Sequence, residues 1–128
     1  MHKRGRSAAI ASLLFACEMS MGQTTDLSGN YEARFEGPDG SPRTATLVIK
    51  SDGATWKTNG GVRSLNKCIG KETPASVEDV AADSFTLTVY QSKILAGCAD
   101  VRWKFKRTDA KTYVSTMSEG RALTLVKQ

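Results

Sequence analysis

Cys98-Ala99-Asp100-Val101-Arg102-Trp103-Lys104-Phe105-Lys106-Arg107 is the stretch that decides how this chain folds. Val101, Trp103 and Phe105 recur at every second position, with Arg102, Lys104 and Lys106 between them. Side chains of an extended strand alternate between its faces, so the pattern predicts a β-strand that is apolar inward and basic outward. Cys98 stands at its head, placed to tie the strand covalently to an earlier part of the chain.

The flanking sequence repeats the pattern. Just upstream, Phe85, Leu87 and Val89 alternate with Thr86, Thr88 and Tyr90, a β-branched and aromatic mixture that suits a pleated surface. Downstream, Thr108-Asp109-Ala110-Lys111 turns the chain, and 113–117 and 121–126 form a closing pair around Ser118-Glu119-Gly120. Nearer the N-terminus, segments 44–50 and 54–58 make a hairpin about Ser51-Asp52-Gly53, where Asp-Gly readily supplies a tight turn. Tyr31, Ala33 and Phe35 alternate with Glu32, Arg34 and Glu36, ahead of the turn cluster 37–42, whose prolines interrupt any strand. Residues 62–76 lack a period and read as an irregular loop holding Cys68, with a short strand at 77–80.

Many short strands at even spacing, with no helical period, predict an all-β fold, a small antiparallel meander. A single sheet of seven or eight strands would leave two edges and an apolar face exposed. Closing into a barrel removes both problems, and a two-sheet β-sandwich is the alternative. The expected inward set is Tyr31, Phe35, Leu47, Ile49, Trp56, Phe85, Leu87, Val89, Val101, Trp103, Phe105, Leu123 and Leu125.

Residues 1–22 read as an address. His2-Lys3-Arg4-Gly5-Arg6 is a basic head, and 7–16 is an apolar run shorter than the about 20 residues a bilayer-spanning helix needs. That is the pattern of a secretory signal, with Ser20-Met21-Gly22 placing a cut before Gln23. Leu14-Phe15-Ala16-Cys17 also resembles the lipobox of bacterial lipoproteins, which implies as an alternative an outer-membrane lipoprotein acylated at Cys17. Cleavage removes three cations and one anion, Lys3, Arg4, Arg6 and Glu18, so the formal charge falls from +5 to +3. The rest, 23–128, is the length of a single domain. The expected location is periplasmic or secreted. Cys68 and Cys98 are then the only cysteines, and in an exported domain one disulfide is the simplest pairing.

Leu27-Ser28-Gly29-Asn30-Tyr31, at the head of the first strand, resembles the opening of calycin-type barrels such as avidins and lipocalins. In those families Gly-x-Trp begins the first strand, and here Tyr31 takes the tryptophan's place. The resemblance implies a barrel that binds a small ligand and carries over no ligand residues. The whole chain is similar to short exported bacterial β-proteins of unknown function.

His2 is the only histidine and falls in the signal segment. The mature chain thus lacks the residue on which Ser-His-Asp and Cys-His catalysis depend, and with it the commonest zinc and copper ligand. Neither catalytic residues, a cofactor nor a metal is expected. Ser64-Leu65-Asn66-Lys67 has the Ser-x-x-Lys spacing of penicillin-recognising enzymes, without the helix start that gives that spacing its chemistry. Glu32 and Glu36 share one strand face about 13 Å apart, too far for a glycosidase pair. Asp39 and Asp52 are isolated turn aspartates, without the dense pattern of a calcium loop.

Arg102, Lys104 and Lys106, with Arg107 and Lys111 nearby, form the expected surface for an anionic partner. Cations two residues apart on one strand face lie about 6.6 Å apart, within a Debye length, and repel unless acids on a neighbouring strand offset them. Glu32 and Glu36 are the acids considered for that role. Nucleic acid is disfavoured, because no aromatic residue interleaves with these cations on that face. The expectation is an exported, non-enzymatic binding or interaction protein of the bacterial envelope. A calycin-like small-ligand binder is the alternative, and a hydrolase the minor one.

Overall fold

A computed structural model describes residues 26–59 and 67–128. Eight antiparallel strands follow one another around a closed barrel: β1 (Gly29–Glu36), β2 (Pro42–Lys50), β3 (Gly53–Asn59), β4 (Thr73–Glu78), β5 (Ser84–Val89), β6 (Val101–Asp109), β7 (Thr112–Thr116) and β8 (Ala122–Lys127). The last strand pairs with the first, Ala33 opposite Leu125 and Phe35 opposite Leu123, so the sheet has no free edge. The sandwich alternative is thereby excluded.

Alternation sends one row of each strand into the lumen. Tyr31, Leu47, Ile49, Trp56, Phe85, Leu87, Val89, Phe105, Leu123 and Leu125 are buried, while Phe35, Val101 and Trp103 point the same way but stay partly open. Ala33, Ala45, Ala54 and Ala75 complete the lining as small partners to the large side chains. Six rings run as a column through the interior. Tyr31 meets Tyr113 edge-on, Tyr113 meets Phe85, Phe85 stacks on Phe105, Phe105 touches Trp103, and Trp103 packs on Trp56. Each such contact adds about 0.5–1.5 kcal/mol beyond the burial of area.

Two local readings of the sequence are corrected. Pro42 does not interrupt a strand; it opens β2 opposite Glu36, and a first strand position tolerates the lost N–H. The stretch around Pro74 is β4 rather than loop, and this strand ends at Glu78 instead of running to Val80. Pro74 still accepts from the Tyr90 N–H, at 2.9 Å, and the Tyr90 carbonyl takes the Lys93 N–H at 3.1 Å where a proline has none to give.

The two ends of the barrel differ. Strand pairs β2–β3, β4–β5 and β6–β7 are joined by short turns at one end. At the other end lie all the remaining connections, 37–41, 60–72, 90–100 and 117–121, two of them long. Cys68 and Cys98 are bonded, with Cα atoms 5.7 Å apart, and so staple those two long connections to each other. No helix among the described residues is long and apolar enough to cross a membrane.

Candidate functional site

An eight-stranded barrel has an interior just wide enough to be filled by side chains or to hold one small ligand. Here the ring column fills it from the short-turn end up to Phe105, and above that level the lumen opens. A cavity of about 460 Å³ sits at the stapled end, within the size range of small-molecule sites. Trp56 and Trp103 form its floor, with ring centroids 5.1 Å apart at 49°, and Phe35, Val101, Ile69 and Met117 line its walls. The cavity explains why Phe35, Val101 and Trp103 are only partly buried: their free faces look into it.

Its polar groups are few. The Trp56 indole N–H donates to Thr58 Oγ1 at 3.2 Å, whereas among the described residues the Trp103 indole N–H has no acceptor. Two arginines reach the cavity, Arg43 and Arg121. Each continues an inward row, Arg43 ahead of Ala45 and Leu47, and Arg121 ahead of Leu123 and Leu125. Gly37 makes room for the first. A Cβ built there would meet Arg43 Nε at 2.4 Å and Cζ at 2.8 Å, so only glycine lets the guanidinium lie against the backbone. Arg43 Nη2 stands 3.6 Å from Asp39 Oδ1, a long contact to a carboxylate that already accepts from the Ser41 N–H and hydroxyl. Those two hydrogen bonds hold the Asp39 carboxyl below its ordinary value.

Arg121 is less compensated. Its Nη1 donates to the Glu36 carbonyl at 2.5 Å, and its Nε is buried with no hydrogen-bond partner. Among the described residues it has no carboxylate partner. The sequence reading did not single out either arginine. The available signal was periodic, a charged residue standing where the inward alternation of β2 and of β8 calls for an apolar one.

A second hollow, about 490 Å³, lies at the short-turn end, lined by Asp26, Lys50, Asp52 and Ser76 beside Ile49 and Val77. It offers mixed charge and no aromatic surface. Among the described residues no three or more His, Cys, Asp or Glu side chains gather to hold a metal ion.

The basic strand is placed as expected, with Arg102, Lys104 and Lys106 exposed on the outer face of β6. The acids beside it are others than those considered from the sequence. β1 pairs with β2 and β8, so Glu32 and Glu36 cannot offset β6; Glu32 pairs with Arg34 on its own strand. Arg102 instead contacts Asp79 at 3.4 Å and Glu78 at 4.0 Å across the barrel wall. Lys104 and Lys106 lie beside Thr86 and Ser84 on β5, and among the described residues neither has an ion-pair partner. Arg107 is exposed at a bulge and donates from Nε to the Asp109 carbonyl, while Lys111 occupies the β6–β7 turn. Lys67 is exposed, and Ser64, like residues 1–22 with His2 and Cys17, lies outside the described residues. No protein-family model, curated protein or solved structure matches the chain.

Proposed function

We propose that this chain is an exported, non-enzymatic binding protein whose site is the stapled mouth of the barrel, where it takes a small molecule. The observation that carries the reading is the cavity itself, a 460 Å³ space floored by two indoles and ringed by a few polar groups. Concave, mostly aromatic surfaces with a small number of placed donors are what small-ligand sites are made of. The calycin-like opening at Gly29-Asn30-Tyr31 agrees with such a role, as does a disulfide in a chain that opens with a signal-like segment.

Mass spectrometry of protein exported by its own N-terminal segment tests this. Under denaturing conditions the expected species starts at Gln23 and carries one disulfide. Under native conditions it carries a reproducible extra mass that denaturation releases. Protein retained in the cytoplasm with Cys68 and Cys98 reduced would end the export reading, and acyl mass on Cys17 would place the same barrel on a membrane surface.

One observation favours a second reading. Lys104 and Lys106 project from β6 with no acid on the adjoining strands to offset them. An anionic envelope component or an acidic protein would supply that charge. Exchange of both lysines for glutamate, followed by cross-linking in the envelope, separates this partner from a ligand in the mouth, whose binding would be unaffected.

A further inference from the structure

We infer that the ligand of the barrel mouth is a small organic anion: a flat, apolar or aromatic body that lies on Trp56 and Trp103 and carries one acidic group held by Arg43 and Arg121. This rests on the small-ligand reading above and names the ligand's chemistry.

The charge balance of the cavity leads to the acidic group. Two guanidinium groups line a space in which, among the described residues, Asp39 is the only carboxylate. That carboxylate is already committed to Ser41 and stands at the long distance of 3.6 Å from Arg43. Arg121 faces no carboxylate among the described residues, spends one donor on a backbone carbonyl and keeps a buried Nε without an acceptor. A cation drawn out of bulk water and left uncompensated is costly, and an anion bound beside it removes that cost. Guanidinium forks match carboxylates in shape as well as charge. Gly37 adds to the case, because its missing Cβ is what admits Arg43 to this position.

The flat body follows from the floor. Trp56 is buried in the cavity floor and Trp103, tilted against it at 49°, is partly open, so the indole of Trp103 supplies the apolar face that meets the cavity. A planar ligand gains stacking area on such a face, whereas a compact inorganic anion would leave it wet.

The test is calorimetric titration of the disulfide-bonded protein with 2-naphthoate and with 2-naphthamide, which share a ring system and differ in charge. The expected result is one site that binds naphthoate at least about tenfold more tightly, the scale of a charge-assisted hydrogen bond. Arg121→Gln and Arg43→Gln together should abolish that preference, bringing the two probes to about the same affinity. Should Arg121→Gln fail to fold, Arg43→Gln and Gly37→Ala alone must each reduce the preference. Equal affinity for the two probes would overturn the acidic-group assignment while leaving the small-ligand reading standing. A preference that survives the arginine substitutions would overturn it too, by moving the anion to another surface. Binding of neither probe by normally folded protein would remove both readings at once.

Discussion

Trp56 and Trp103 stand on strands that are not neighbours, β3 and β6, yet their rings meet across the lumen with centroids 5.1 Å apart. They are the only two tryptophans in the chain, and both line the same cavity. The contact therefore closes the ring column on one side and floors the mouth on the other. Structure and proposed function share one pair of side chains, and substitutions can be chosen to separate them.

Phe105 and Trp103 make the first separation. Phe105 is fully enclosed, so Phe105→Ala should cost about 3–5 kcal/mol, the range for deleting a buried aromatic ring. Trp103→Ala removes a larger side chain but should cost less, because one of its faces looks into the cavity and already lacks packing partners. Denaturant unfolding measures both. The order should reverse for binding, with Trp103→Ala the more damaging of the two.

Gly37→Ala isolates Arg43. The new methyl group meets the mobile end of a side chain, so the arginine is displaced and the backbone keeps its path. Although Gly37 is buried, the added methyl group meets only the far end of the Arg43 side chain, so stability should change by less than about 1 kcal/mol while discrimination between anionic and neutral ligands falls. Unfolding curves read beside the calorimetric titration check the two halves of this prediction.

Removing the disulfide loosens the mouth and leaves the barrel wall intact. Cys68 and Cys98 are 30 residues apart in sequence, a loop for which chain entropy gives about 3–4 kcal/mol of stabilisation. The Cys68→Ala, Cys98→Ala pair should lose roughly that much in urea unfolding. It should also weaken ligand binding, because Ile69 lines the cavity next to one anchor of the staple. Far-UV circular dichroism of the folded variant should be unchanged.

Tyr31 gives the barrel an alkaline limit. Its hydroxyl donates to the Leu27 carbonyl at 2.8 Å inside the core. Burial first, then the nearby Tyr113 and Asp26, raise its pKa from 10.0 to about 12. The folded state thus holds the proton more tightly than the unfolded chain, which puts the sign beyond choice. The contribution is complete below pH 10.0 and is lost as pH rises through about 12. Absorbance titration should show one of the three tyrosines ionising late, together with unfolding. Tyr31→Phe should shift the alkaline midpoint upward while costing about 1 kcal/mol at neutral pH for the lost hydrogen bond.

Much of the barrel was legible because its strands alternate cleanly. Val101-x-Trp103-x-Phe105 and Phe85-x-Leu87-x-Val89 face the lumen as their period requires, and they pair with each other, Phe85 opposite Phe105 and Leu87 opposite Trp103. β4 was hidden because proline is a poor strand signal and Thr73, Ala75 and Val77 are small inward residues. Charge pairing could not be read either. Which acids face β6 depends on the order of strands around the barrel, and Glu78 and Asp79 come to Arg102 through a turn held by Asp79 at positive φ. The mouth was missed for a related reason. Arg43 and Arg121 look like ordinary surface cations until the inward register of β2 and β8 is fixed, and their convergence at one end depends on closure between β1 and β8.

Whether the stapled mouth binds is read out by nuclear magnetic resonance of ¹⁵N-labelled protein titrated with 2-naphthoate. The two indole N–H signals report from the cavity floor, and the amides of Lys104 and Lys106 report from the outer wall. Both indole signals should move with saturation, Trp103 more than Trp56, because Thr58 already holds the Trp56 N–H. Backbone signals of Gly37 and Arg121 should move with them while Lys104 and Lys106 stay still. Shifts confined to the outer face of β6, with both indoles unmoved, would contradict binding at the mouth.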